Sequence, residues 1–245
     1  MKADPSKQLR LLDLQALDTK LAQVAHKRRT LPVLAQLEAA TARQTTLEED
    51  VVLARTAVAD VEREITKAEA DVQQVRDRED RDRARLDAGT GTAKELQSLQ
   101  HELETLQRRQ SELEDIELEV MERAESLRSD LAAREKAATA AAAKVEQLTT
   151  DRDTQLAELD TEQQRVSAER NQVAPGLGQE LLAFYEKLRE QLGTAAAALQ
   201  ARRCGGCGLE LDAAELARVK AAPEDEVLRH EECRRIIVRT PESGL

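Results

Sequence analysis

Four side chains carry the chemistry that this sequence offers. Cys204 and Cys207 stand two residues apart in Cys204-Gly205-Gly206-Cys207, and His230 and Cys233 repeat the spacing in His230-Glu231-Glu232-Cys233. Three thiolates and one imidazole make a closed tetrahedral set, which is what structural zinc prefers. A catalytic zinc keeps one coordination position open, and four protein ligands leave none. The paired glycines let the first knuckle turn tightly, so that its amides point at the thiolates. A redox dithiol at Cys204 and Cys207 fits poorly, because no βαβ pattern surrounds them. The competing reading of His230 is an ordinary surface histidine, as expected for His26 and His101, which sit singly in helical patterns.

Strands and a short helix must hold these knuckles. Arg234 to Thr240 is rich in β-branched residues and bounded by Pro241, so it reads as a strand. Gly193 to Leu199 poses a conflict: its alanines favour helix, yet a zinc ribbon needs a strand leading into its first knuckle. The expectation is strand. Leu211 to Arg218 reads as a helix capped by Asp212. A ribbon spanning 193–245 has little core of its own, so metal binding should supply much of its stability. Arg202, Arg203, Arg234 and Arg235 flank the knuckles and are the candidate contacts for a partner or a nucleic acid. Ahead of the ribbon, 174–192 is expected as a short connecting helix. It carries Phe184 and Tyr185, the only two aromatics of the chain, which read as core.

The remainder, 1–173, is helical in pattern. Asp4-Pro5 opens a helix with a capping acid and a proline at its first position. Thr30-Leu31-Pro32 breaks it. Apolar residues then recur every three or four positions, through Val51, Val58, Val61, Ile65, Ala68, Val72 and Val75, and again through Leu96, Leu99, Leu103, Leu106 and Leu113. Between the runs lies Asp87-Ala88-Gly89-Thr90-Gly91-Thr92, a turn within 87–92. A long antiparallel coiled-coil hairpin follows, each arm reaching on the order of 120 Å at 1.5 Å per residue. Equal arms place Pro32 opposite Val145 to Leu148, and the first helix beside Arg152 to Val173. The charged run Arg76 to Arg83 reads as a solvated face. A monomer is favoured over a parallel homodimer. The expected architecture is therefore mostly α, with a small α+β zinc ribbon.

Composition agrees. Of 245 residues, 35% are charged and none is tryptophan, which suits long helices sharing a narrow seam rather than a thick core. Mean hydropathy of -0.59 admits disorder as a rival, but sustained heptads oppose it. The net charge of -11 disfavours non-specific nucleic-acid binding by the whole molecule. Nothing at the start resembles a signal peptide, no apolar run could span a bilayer, and three reduced cysteines suit the cytoplasm.

Several stretches resemble a bacterial family of coiled-coil hairpin proteins with a C-terminal zinc ribbon, which includes the flagellar regulator FlgZ and the secretion-associated CdsZ. The similar segments are Lys94 to Asp115, Met121-Glu122, Phe184 to Arg189, Cys204 to Cys207 and Glu232 to Ile237. This chain departs where the family usually has cysteine, at His230, and often glycine, at Arg234. The resemblance implies a non-enzymatic adaptor or chaperone that binds proteins. One alternative is a nucleic-acid-binding ribbon linked to transcription or RNA metabolism, using the four arginines. Another is a hairpin factor entering RNA polymerase, with Asp87 as the acidic residue at the tip.

Overall fold

The computed structural model describes residues 1–245. Helix α1 (Pro5–Arg29) starts on Asp4, whose carboxylate accepts the amide of Ser6, and ends where Thr30 to Leu31 interrupts it. Helix α2 (Pro32–Asp87) and helix α3 (Ala93–Val173) flank the glycine turn. A 3-10 turn (Ala174–Leu177) leads into α4 (Gln179–Leu192). The ribbon elements are β1 (Ala196–Gln200), β2 (Arg203–Cys204), α5 (Ala213–Ala221), β3 (Leu228–Arg229) and β4 (Ile236–Val238). No helix is long and apolar enough to cross a membrane.

Two compact units form, 35–150 and a discontinuous one made of 1–34 with 151–245. Within the first, α2 and α3 share a seam in which Val61, Val120 and Ala124 pack together with Ile65 and Leu127. Antiparallel pairing is fixed by Arg55 with Glu135 at 2.7 Å, Arg76 with Glu114 at 2.6 Å and Arg128 with Glu62 at 2.9 Å. The stripe does not dissolve in the charged run: Glu79 and Asp82 occupy its next positions and are buried. Glu79 is satisfied by Arg83 at 2.7 Å and by Gln107 across the seam at 3.4 Å. This corrects the expectation of a uniformly solvated face. Acids at seam positions weaken packing but fix register, because a slip would leave them buried without donors.

The turn itself is built from glycines in left-handed backbone, Gly89 at φ 61° and Gly91 at φ 144°. A capping box follows. Thr92 Oγ1 accepts the Glu95 amide at 3.3 Å, and the Glu95 carboxylate accepts the Thr92 amide at 2.7 Å. Equal arms do not hold. Pro32 lies in a groove with Gln155, Glu158 and Leu159, beyond the expected Val145 to Leu148. Beside the turn, residues 93–100 are exposed except for the half-buried Leu96 and Leu99. Near the turn Arg78 still pairs with Glu102, close to the equal-arm register, whereas Arg76 with Glu114 and Arg55 with Glu135 are offset along α3.

In the other unit α1 lies beside the end of α3, as Arg28 pairing with Asp160 and Arg170 with Asp18 require. The sheet runs β2-β1-β4-β3, with β1 and β4 parallel. One face of it, through Ala196, Ile236 and Val238, packs on Leu11, Leu14, Leu177, Leu181, Tyr185 and Leu188. The other, through Ala197, Leu199 and Ile237, packs on Leu211, Val219 and Cys204. Burial on both sides explains why an alanine-rich run becomes a strand against its helical propensity. Strand β4 is shorter than expected, since Arg234 and Arg235 belong to the metal knuckle. Residues 1–3 extend the sheet: Ala3 donates to Asp225 O at 2.7 Å and Val227 to Met1 O at 3.1 Å.

Where α1, α3, α4 and β1 meet, a polar network is buried. Tyr185 donates to Asp18 Oδ2 at 2.7 Å, and Arg170 Nε donates to Asp18 Oδ1 at 2.6 Å. Gln15 Oε1 accepts the amides of Ala195 at 2.7 Å and Ala196 at 3.2 Å. Burial, then the hydrogen bond to Asp18, push the Tyr185 phenol well above its ordinary 10.0. Its contribution is thus complete below 10.0 and declines as pH climbs toward the raised value. As the sole tyrosine, Tyr185 should show no phenolate absorbance near its ordinary value, and the signal should emerge together with loss of helical circular dichroism. Asp18→Ala removes the acceptor that Tyr185 and Arg170 share, leaving Arg170 only Glu186, and should lower unfolding free energy by about 1–3 kcal/mol in urea titrations.

Candidate metal centre

The first knuckle hangs from the β1–β2 hairpin. Gly205 donates to Ala198 O at 2.9 Å, and a Cβ on Gly205 would meet that same oxygen at 2.9 Å. A Cβ on Gly206 would lie 2.7 Å from Arg235 Cδ. Gly205 therefore needs the bare backbone, whereas a side chain at 206 would first have to displace that of Arg235. The second knuckle bridges β3 and β4, with His230 donating its amide to Arg235 O at 3.0 Å and Arg234 to His230 O at 2.9 Å. After each knuckle the chain enters left-handed backbone, at Gly208 with φ 78° and at Arg234 with φ 60°. Glycine takes that conformation freely, whereas arginine bears strain of about 1 kcal/mol or more.

The four donor atoms of Cys204, Cys207, His230 and Cys233 all lie within 4.8 Å of one another. Cys204 Sγ and Cys233 Sγ are 3.8 Å apart. His230 Nδ1 is 3.1 Å from Cys233 Sγ and 3.5 Å from Cys207 Sγ. Zinc–sulfur bonds of about 2.3 Å at tetrahedral angles set two sulfurs about 3.8 Å apart. The donors fit one zinc ion, and all four would hold it. When bound, such an ion ties two knuckles together and offers no open position for substrate.

The thiols differ. Burial pushes Cys204 up to about 11, although the amides of Gly206 and Cys207 work the other way. Burial also opposes the Cys233 thiolate, but the Arg235 amide, His230 and the Arg235 side chain outweigh it and bring the group down to about 6.

Behind the ring stands Glu215, a residue that the spacing of ligands does not reveal. It is buried on α5, with Oε2 3.6 Å from His230 Nε2. Its Oε1 accepts the Glu231 amide at 2.9 Å and lies 3.3 Å from Arg218. The sequence Asp212-x-x-Glu215 resembles a capping box, and Asp212 does accept the Glu215 amide at 2.7 Å. The glutamate side chain, however, turns inward to the histidine instead of back to the cap.

The flanking arginines do not form one patch. Arg202 Nε donates to Gly244 O at 3.0 Å, Arg203 pairs with Glu210 at 3.3 Å, and Arg235 Nε donates to Thr194 O at 3.1 Å. Arg234 is exposed and lines a groove with Arg218, Arg229, Glu226 and Glu231. Its strained backbone places it there.

Residues 14–193 match the CT398-like coiled coil hairpin domain. The chain belongs to that family. Residues 203–237 match the C4-type zinc ribbon domain, so His230 is this chain's departure from a four-cysteine pattern. An uncharacterized Mycobacterium tuberculosis protein is 38% identical over 239 residues, covering 98% of each chain. An uncharacterized Mycobacterium leprae protein is 32% identical over 226 residues, 89% of this chain and 94% of the relative. A solved Mycobacterium smegmatis structure is 37% identical and superposes with a TM-score of 0.86 over 98% of this chain and all of its own. The structure of CT398 from Chlamydia trachomatis, 17% identical, shares the fold at a TM-score of 0.67, over 96% of this chain and 98% of its own.

Membership in this CT398-like family with its zinc ribbon gives a direct expectation. Purified protein should carry about one zinc per chain by elemental analysis, given one four-donor set. Cys204→Ser should abolish retention through gel filtration, since it removes a buried thiolate from a closed set. Full zinc in a Cys204→Ser/Cys207→Ser variant would contradict the site.

Proposed function

We propose that this protein is a non-enzymatic adaptor or chaperone that acts through protein–protein contacts in a reducing bacterial cytoplasm, in the manner of the FlgZ and CdsZ group. The observation that carries the reading is the closed donor set. Its thiolates and imidazole face one another, which suits an ion that fixes shape. The helical hairpin supports it with large apolar side chains left in solvent, among them Leu53 at 68% exposure and Leu118 at 58%. Such residues commonly mark contact surfaces when they gather in patches. A monomeric chain presenting these positions to a partner protein is the expected working form.

The nucleic-acid reading rests on one observation, the exposed Arg234 held in left-handed backbone beside Arg218 and Arg229. It is the weaker of the two. The other three candidate arginines bond within the ribbon, and Glu226 and Glu231 line the same groove. The RNA polymerase reading rests on Asp87 alone, at the end of α2.

A photo-crosslinking residue placed at Leu53 or Leu118 in the native cytoplasm should yield a discrete protein adduct, weakened at least tenfold by a neighbouring Val52→Glu or Met121→Glu. Absence of any adduct at both positions would remove the adaptor reading. Salt-sensitive retention on RNA, lost with Arg234→Ala, would install the nucleic-acid reading in its place. An adduct to RNA polymerase formed only from position 87 would favour the third.

A further inference from the structure

The donor set poses a question of charge. Zinc held by four thiolates is doubly negative, and exchanging one thiolate for a neutral imidazole leaves it singly negative. In this chain a buried carboxylate stands beside that imidazole. The side chains of Glu215 and His230 are only 4% and 1% exposed, with Oε2 and Nε2 3.6 Å apart.

The ring orientation makes the contact specific. His230 turns Nδ1 toward Cys207 and Cys233, so a metal on Nδ1 places the ring proton on Nε2, facing Glu215. The second oxygen of Glu215 accepts the amide of Glu231 at 2.9 Å. One carboxylate therefore holds the backbone of this knuckle and sets its charge against the ring that the knuckle carries. Arg218 lies 3.3 Å from Glu215, but its side chain is 43% exposed and also reaches Glu231 at 3.2 Å. Its charge is shared with solvent and a second acid.

We propose that Glu215 is a positioning residue that returns to the metal centre, through His230, the negative charge that a fourth thiolate supplies in a C4-type ribbon. Positions 215 and 230 are then an interdependent pair: histidine requires the carboxylate, and cysteine is incompatible with it. With cysteine at 230, the set would be doubly negative beside a buried carboxylate left with only the Glu231 amide and a shared Arg218, a costly arrangement. This inference concerns the metal centre alone and stands or falls independently of the adaptor reading.

The test uses the full chain and zinc competition against a chromophoric chelator, with cobalt(II) absorption as a second readout. Glu215→Gln keeps an oxygen for the Glu231 amide but turns an N–H2 toward Nε2, opposing a donor with a donor. It should weaken zinc binding about 10–100-fold and shift the cobalt ligand-field bands. His230→Cys alone should bind no more tightly than the native chain, although it completes the four-cysteine pattern. Adding Glu215→Gln to His230→Cys should restore affinity and leave the cobalt bands unmoved relative to His230→Cys. If Glu215→Gln costs the same in both backgrounds, Glu215 merely supports α5 and the proposal fails. It fails equally if His230→Cys alone tightens binding, or if the double variant does not fold.

Discussion

A buried amide oxygen, that of Gln15, fastens the sheet to the helices. It accepts two successive backbone amides, Ala195 and Ala196, at the point where the chain leaves α4 and becomes β1. Those amides would otherwise be buried donors without acceptors, each costing about 1–3 kcal/mol. Strand β1 lies between β2 and β4, and Ala198 O in it holds the amide of Gly205. A line of bonded contacts thus runs from α1 to the first metal knuckle. Asp18, one turn along the same helix, anchors Tyr185 and Arg170, so α1 organises both the polar joint and the sheet.

The ribbon distributes its strain with some economy. The β1–β2 turn places Ala201 at φ 46° and Arg202 at φ 66°, a pair of left-handed residues where asparagine and glycine are the usual choice. The segment after β4 holds that turn in place: Ala201 donates to Glu242 O at 2.8 Å and Arg202 to Ser243 O at 2.9 Å. Ser243 is itself buried, its hydroxyl on Leu199 O at 3.2 Å. Arg234 adds a third strained position on the opposite knuckle. Hydrogen bonds from outside the hairpin oppose relaxation of the first two, and a zinc ion held by the four donors would oppose it at Arg234.

Much of this was legible in residue order. The paired x2 spacings identify the donor set, the glycine turn and the three-and-four stripe identify the hairpin, and Asp4, Pro32 and Asp212 mark helix boundaries where the structure has them. What escaped did so for physical reasons. Glu79 and Asp82 have the right phase for the seam, but their charge disguises it until Arg83 and Gln107 are seen to satisfy Glu79. The facing register is an offset between two stripes, which the periodicity of either stripe does not encode. Thr92-x-x-Glu95 was a readable capping box. Glu215 was not readable as a support for His230, because a helix-cap pattern accounts for the same residue and only the folded chain decides between them. The strand at β1 did not escape: it was expected despite the helical bias of its alanines, and burial on two faces is what overrides that bias.

The discontinuous unit has a consequence for synthesis on the ribosome. Residues 1–34 are made before their packing partners, which begin only at 151. The 35–150 hairpin can close while translation continues, since all its partners are then outside the tunnel. Leu11, Leu14 and Gln15 must wait, their apolar face uncovered, until α4 and β1 have been made. Helix α1 is therefore made long before it is sheltered, and its apolar side stays open while the whole intervening hairpin is synthesised.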